Sequence, residues 1–130
     1  MKRSEVLRIL DANLNRSREG LRVCEEIARF CAQDSRLTTD LKKVRHRISA
    51  VIKIIPANIA ELFESRDTER DVGKNPDESA WTREDLLGLF LANIQRAKEA
   101  LRVLEETSKL MSSASSKQFK KIRFEIYGIE

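Results

Sequence analysis

Very little in this chain breaks a helix: its 130 residues include four glycines and two prolines, and aromatic side chains make up only 5% of it. Strands draw on β-branched and aromatic residues and tight turns draw on glycine and proline, so this scarcity argues against a sheet. Soft metal ligands are as sparse. There are two cysteines, Cys24 and Cys31, and a single histidine, His46, which excludes a thiolate–imidazole metal centre. The cysteines sit seven residues apart on what reads as one helix, roughly 10.5 Å along its axis. That is too far for a disulfide, and both are expected as packed thiols. The amino terminus has neither the apolar stretch of a signal peptide nor that of a membrane span, so the expectation is a cytoplasmic protein with no membrane partner.

What the chain does have is charge. Asp, Glu, Lys and Arg together make up 35% of it, with a net charge of +4. The basic balance suits an anionic ligand, but acidic residues are interspersed nearly everywhere, so a nucleic-acid partner is not indicated. A chain of this length supports one hydrophobic core, and residues 1–130 are expected to form a single helical domain.

The chain also contains itself twice. Residues 12–26, ANLNRSREGLRVCEE, match residues 92–106, ANIQRAKEALRVLEE, at nine of fifteen positions, and LKKVRHRI at 41–48 matches FKKIRFEI at 119–126. The repeated unit reads as a long helix, a polar turn and a second, basic helix. The expected fold is therefore all-α: a helical bundle made of two helix-turn-helix units, about 4–55 and 82–128, joined by a linker and one long charged loop at 56–81. Ser4, Thr39 and the pair Thr82 and Asp85 are the expected helix starts, and Pro56 should end the second helix.

In the first long helix Ile9, Ala12, Val23, Ile27 and Phe30 form an apolar stripe, with Gly20 and Cys24 beside it. Asn13 and Arg16 fall inside that stripe, and Asn93 and Arg96 take the same places in the second unit. Buried amides and guanidinium groups need partners. Glu19, Glu26, Glu99 and Glu106 border the stripe and would supply them as an internal salt-bridge network, or a ligand would. Arg22 with Glu25, and Arg102 with Glu105, fall on the outer face as solvated pairs. The basic residues of the second helices, from Lys42 to Lys53 and Lys117 to Arg123, read as solvated faces. His46 reads as a polar-face residue, and Trp81 as a hydrophobic staple. The central loop differs in kind: Arg66, Arg70 and Lys74 alternate with Asp67, Glu69 and Asp71 around Gly73. Cations for phosphate oxygens thus stand beside hard oxygen ligands for Mg²⁺.

Taken in order, ILDANLNRSREGLRVCEEIARF, SRDTERDVG, LANIQRAKEALRVLEE and FKKIRFEIYGIE resemble the helical hydroxymethylpyrimidine-phosphate kinase family of thiamine biosynthesis. Members of that family also form the amino-terminal domain of fused thiamine-phosphate synthases. The resemblance implies a phosphotransferase that moves a phosphoryl group from ATP, with Mg²⁺, to hydroxymethylpyrimidine phosphate, and a synthase as an associated partner. Phosphoryl transfer needs cations, a bridging metal and a positioned acceptor. The expected roles follow from that chemistry. Arg16 and Arg96 hold phosphates, Asn13 and Asn93 with Glu19 and Glu99 fix the substrate, and Arg66 and Arg70 close over the product. Asp67 and Asp71 hold Mg²⁺ or orient the acceptor, and Gly73 lets backbone N–H groups approach. The alternatives are a non-catalytic module that binds the pyrimidine phosphate and delivers it to a synthase, and a small basic nucleic-acid-binding regulator.

Two helix pairs from so short a chain enclose a limited core, which leads to an expected homo-oligomer with the repeat faces near the contact. Light scattering at working concentration should give a mass well above the 15.0 kDa of one chain, and a monomer mass would overturn the expectation.

Overall fold

The computed structural model describes residues 2–56 and 85–130, and every element among them is helical. Helix α1 spans Arg3–Glu26 and runs into a π turn at Ile27–Cys31, and α2 spans Ser35–Val51 and ends in a 3₁₀ turn at Ile52–Ile54. Helix α3 covers Leu86–Ser108 and α4 covers Ser113–Ile129. The long helices have 24 and 23 residues and the shorter ones have 17 each. Pro56 follows the 3₁₀ turn, and the rest of the expected linker and loop lies outside the described residues, as do Trp81 and Thr82.

The helix starts differ from those expected. Glu5 accepts a hydrogen bond from the Lys2 backbone N–H at 3.0 Å, so α1 begins before Ser4. Asp34, not Thr39, caps α2 by accepting from the Leu37 N–H at 3.0 Å, and Thr39 donates its hydroxyl to the Ser35 carbonyl inside the first turn. Asp85 caps α3 through the Gly88 N–H, and Ser112 caps α4 through the Ser115 N–H. At α2, α3 and α4 a short side chain meets an N–H that the helix leaves without a backbone partner, and aspartate does this better than threonine.

Gly20 of α1 lies beside Asn93 and Ala97 of α3, and Cys24 of α1 donates its thiol to the Phe90 carbonyl at 3.4 Å. Numbers rise on one helix as they fall on the other, so α1 and α3 are antiparallel. Helix α2 packs on α1, α4 packs on α3, and α2 meets α4, closing a four-helix bundle. At the α2–α4 contact Arg47 pairs with Glu125, its own counterpart in the repeat.

The buried arc of α1 is centred on Ser17, with Val6, Leu10, Leu14, Leu21, Cys24 and Ala28 around it. This corrects the stripe read from Ile9, Ala12 and Val23, which are only half-buried, and from Phe30, which is 62% exposed. The leucine-rich side offers more apolar area, and burying it between two neighbouring helices outweighs burying the narrower stripe. The π turn adds to the difference, because its extra residue advances the chain by about 100°. Cys31 is thereby turned outward, so Cys31 is exposed while Cys24 is packed. Burial pushes the Cys24 thiol up to about 12, leaving it protonated and inert.

A Cβ on Gly20 would stand 2.8 Å from the Asn93 carbonyl oxygen, whereas one on Gly128 meets nothing within 4 Å. Gly20→Ala should therefore push α1 from α3 and cost about 1–3 kcal/mol. Gly128→Ala should be neutral or stabilising by up to about 1 kcal/mol through helix propensity. Urea denaturation of both variants checks the pair, and equal midpoints would show that the α1–α3 approach is not limiting.

Candidate functional site

Among the described residues the deepest ionic groups are two carboxylates that the sequence places on the outer face. Glu25 is 6% exposed and Glu105 is 4%. Each lies about 80° round its helix from the core centre, on the side where the shorter helix packs, and this proximity draws it inward. Arg45 of α2 donates to Glu25 through Nε at 2.8 Å and Nη2 at 3.3 Å, and Arg123 of α4 donates to Glu105 through Nε at 3.0 Å. The two pairs occupy matching places in the repeat. Burial pushes the Glu25 carboxyl up, but the Arg45 hydrogen bond and the charges of Arg45, Arg22 and Lys42 outweigh it and hold Glu25 below the usual carboxylate range. Burial likewise pulls Arg123 down, and its hydrogen bond and charge interaction with Glu105 more than reverse this. Arg22 and Arg102 complete the clamps from outside and also pair with Glu26 and Glu106.

The expected phosphate ligands do not sit in a packed face. Arg16 and Arg96 are exposed, because each lies about 100° from the centre of its helix's buried arc. Glu19 and Glu99 are exposed too, and neither pairs with the arginine three residues before it; Glu99 accepts instead from Gln95 at 3.1 Å. Asn13 is buried and Asn93 half-buried, as an inward-facing amide requires. Their Nδ2 atoms donate to the Ile9 and Leu89 carbonyls, each at 2.9 Å, so their helices supply the partners. Arg66, Asp67, Arg70, Asp71 and Gly73 lie outside the described residues. Among the described residues no three His, Cys, Asp or Glu side chains converge as a metal-ligand set.

What the structure brings together is a polar cleft of about 400 Å³ between α1 and α2, lined by Asn15, Arg18, Glu19, Arg22, Arg45 and Ser49. The Arg45 guanidinium is tied to Glu25. Among the described residues Arg18 has no carboxylate partner, and it donates to the Asn15 side chain at 3.3 Å. A guanidinium in this state suits an incoming oxyanion, with Asn15 and Ser49 as neutral donors. Beside the cleft runs an apolar groove of about 650 Å³ between α1 and α3, walled by Val23, Ile27, Phe30, Leu86 and Leu89. Glu19 and Arg22 line both. Sequence spacing on one helix does not find this site, because Arg45 and Ser49 come from the neighbouring helix. The available signal was the retention of Glu25 with Arg45 and of Glu105 with Arg123 in both copies.

These features define an all-helical bundle with a cationic polar cleft between α1 and α2. Residues 8–130 match the model of the ThiD2 family, so the chain belongs to that family, whose curated relatives are proteins of thiamine biosynthesis. It is 40% identical over 126 residues to a thiamine-phosphate synthase of Synechocystis sp., covering 96% of this chain and 35% of that protein. A thiamine-phosphate synthase of Nostoc punctiforme is 39% identical, with 96% and 34% covered, and one of Rhodopirellula baltica is 42% identical, with 94% and 32% covered. The chain thus spans about a third of the length of these relatives. No solved structure matches it significantly. The expected phosphotransferase is corrected by these names: the relatives are synthases, transferases that are not kinases, and the chain is similar to only part of each. Among the described residues no helix is long and apolar enough to cross a membrane.

Glu25→Gln tests the clamp. The folded-state value of Glu25 is depressed, so its contribution is complete above the unfolded value of about 4.3. It is lost as pH falls through the lower folded value. Removing the charge should cost roughly 2–3 kcal/mol at pH 7, below the roughly 3–5 of a fully buried pair, because Arg45 keeps 20% of its side chain exposed. Urea denaturation across pH should show this gap closing below about pH 4. A gap that stays constant with pH would assign the loss to packing.

Proposed function

We propose that this domain serves thiamine phosphate synthesis by binding the phosphorylated pyrimidine and presenting it to a thiamine-phosphate synthase. The observation that carries the reading is the junction at Glu19 and Arg22, where a cationic polar cleft meets an apolar groove. A pyrimidine phosphate has the matching two-sided chemistry: a dianionic group at one end and a flat, weakly polar ring at the other. Arg18 and Arg22 would take phosphate oxygens by charge-assisted hydrogen bonds. Asn15 and Ser49 would donate to the remaining oxygens, and Phe30 and Val23 would wall the ring. A volume of about 400 Å³ lies within the range of roughly 300–1,000 Å³ usual for small-molecule sites. Similarity to a third of each synthase fits a module that works beside a synthase rather than replacing it.

Calorimetric titration with hydroxymethylpyrimidine phosphate checks this. Arg18→Met should weaken binding at least about tenfold, roughly 1.4 kcal/mol, with helicity unchanged, and the dephospho compound should bind at least as poorly. Equal affinity for both compounds would remove the phosphate from the recognition. A parallel sample with ATP and Mg²⁺ should release no ADP, and release of ADP with the pyrimidine diphosphate would replace presentation with catalysis.

A further inference from the structure

The repeat places the counterparts of the cleft residues on α3 and α4, and there the same positions carry a different arrangement. Gln95, Lys98, Arg102 and Arg123 correspond to Asn15, Arg18, Arg22 and Arg45, while Tyr127 and Glu130 correspond to Ser49 and Ile52. Lys98 donates its ammonium to both side-chain oxygens of Glu130, at 2.7 and 2.8 Å. The ammonium also lies 4.8 Å from the centre of the Tyr127 ring, and the Arg123 guanidinium lies 6.0 Å from it. Lys98 is only 11% exposed at its side chain, whereas Glu130 is 30% exposed. In the second unit, then, the cation that corresponds to Arg18 is covered and already holds an oxyanion supplied by the chain itself.

We infer that the α3–α4 seam around Lys98 is a second anion site, occupied by the Glu130 carboxylate, which a phosphate-bearing ligand enters by displacing that carboxylate from Lys98. The physical balance supports exchange. A partly exposed ion pair is worth about 0–1 kcal/mol, so Glu130 is not locked in place. Being tethered, it still competes at an effective concentration in the millimolar range. A diphosphate brings more charge and more acceptor oxygens than one carboxylate, and Arg102 and Arg123 line the approach with further positive charge. Serine at position 49 and isoleucine at 52 offer no such competitor in the first cleft, so the two sites differ in affinity although their cations correspond. This extends the reading of the first cleft as a phosphate site but is read out at different residues.

The test is a titration of the isotope-labelled protein with inorganic pyrophosphate, followed by the amide resonances of residues around Lys98 and Tyr127 and, separately, around Arg18 and Ser49. In the unaltered chain the first set should saturate at the lower concentration. Glu130→Gln leaves a neutral amide on an exposed residue. It should tighten binding at the second set roughly two- to sixfold and leave the first set within about twofold, with the second-set change the larger. Lys98→Met should abolish the second response alone, and Lys98→Arg should retain it. If Lys98→Met fails to fold, the Glu130→Gln comparison decides by itself. An unchanged second set in Glu130→Gln would overturn the inference. Silence at the first set with the expected response at the second would instead overturn the assignment of the first cleft and leave this one standing.

Discussion

The bundle depends on how closely α1 can approach α3. With no side chain at Gly20, the α1 backbone comes to within a Cβ's contact distance of the Asn93 carbonyl, and Ala97 lies beside it. At such a spacing the arcs around Ser17 and its counterpart Ala97, both fully buried, seal against each other. What remains of each long helix is two flanks. One flank receives the shorter helix of the same unit, and its carboxylate, Glu25 or Glu105, becomes the anchor for an arginine on that helix. The other keeps apolar residues such as Val23 and Phe30 toward solvent. The α1–α2 cleft lies beside the ionic clamp, and Arg45 lines it while holding Glu25.

The glutamate–arginine clamps are costly elements of a core. A buried ion pair offsets its desolvation only with good geometry, and apolar residues of similar volume often do as well or better. Their presence in both units is more informative about specificity than about stability. Each clamp sets the register of a short helix against a long one, which a smooth leucine surface would leave free to slide. The same setting fixes the distance between Arg18 and Ser49, two residues on different helices that line one cleft.

Much of the fold was legible before the structure, and the reasons are local. Few glycines and prolines, apolar residues at helical spacing and the internal match of 12–26 with 92–106 all specify helices without reference to neighbours. Asn13 was correctly turned inward for the same reason. Arg16 was not, because α1 carries two apolar arcs and only the tertiary partners choose between them: the leucines won, and Arg16 moved to the margin. Glu25 looked solvated because nothing in its own helix announces Arg45, twenty positions on. The cleft was hidden in the same way. Spacing along one helix reports which side chains share a face, and a cleft between two helices is a statement about pairs of faces.

The contact of Arg47 with Glu125 has a bearing on ancestry. These positions correspond in the two units and pair across the α2–α4 contact, as a twofold relation between the units would require. If the unit once assembled as two separate identical chains, whatever residue stood there faced its own copy, and an arginine would have faced an arginine. Joining the copies in one polypeptide removed that restriction, since each could then change without changing the other. Opposite charges at the axis are a solution open only to a fused pair. They also make the halves non-interchangeable: a bundle assembled from two first units would bring like charges together at its centre, so the linked chain discriminates against pairing with the wrong half.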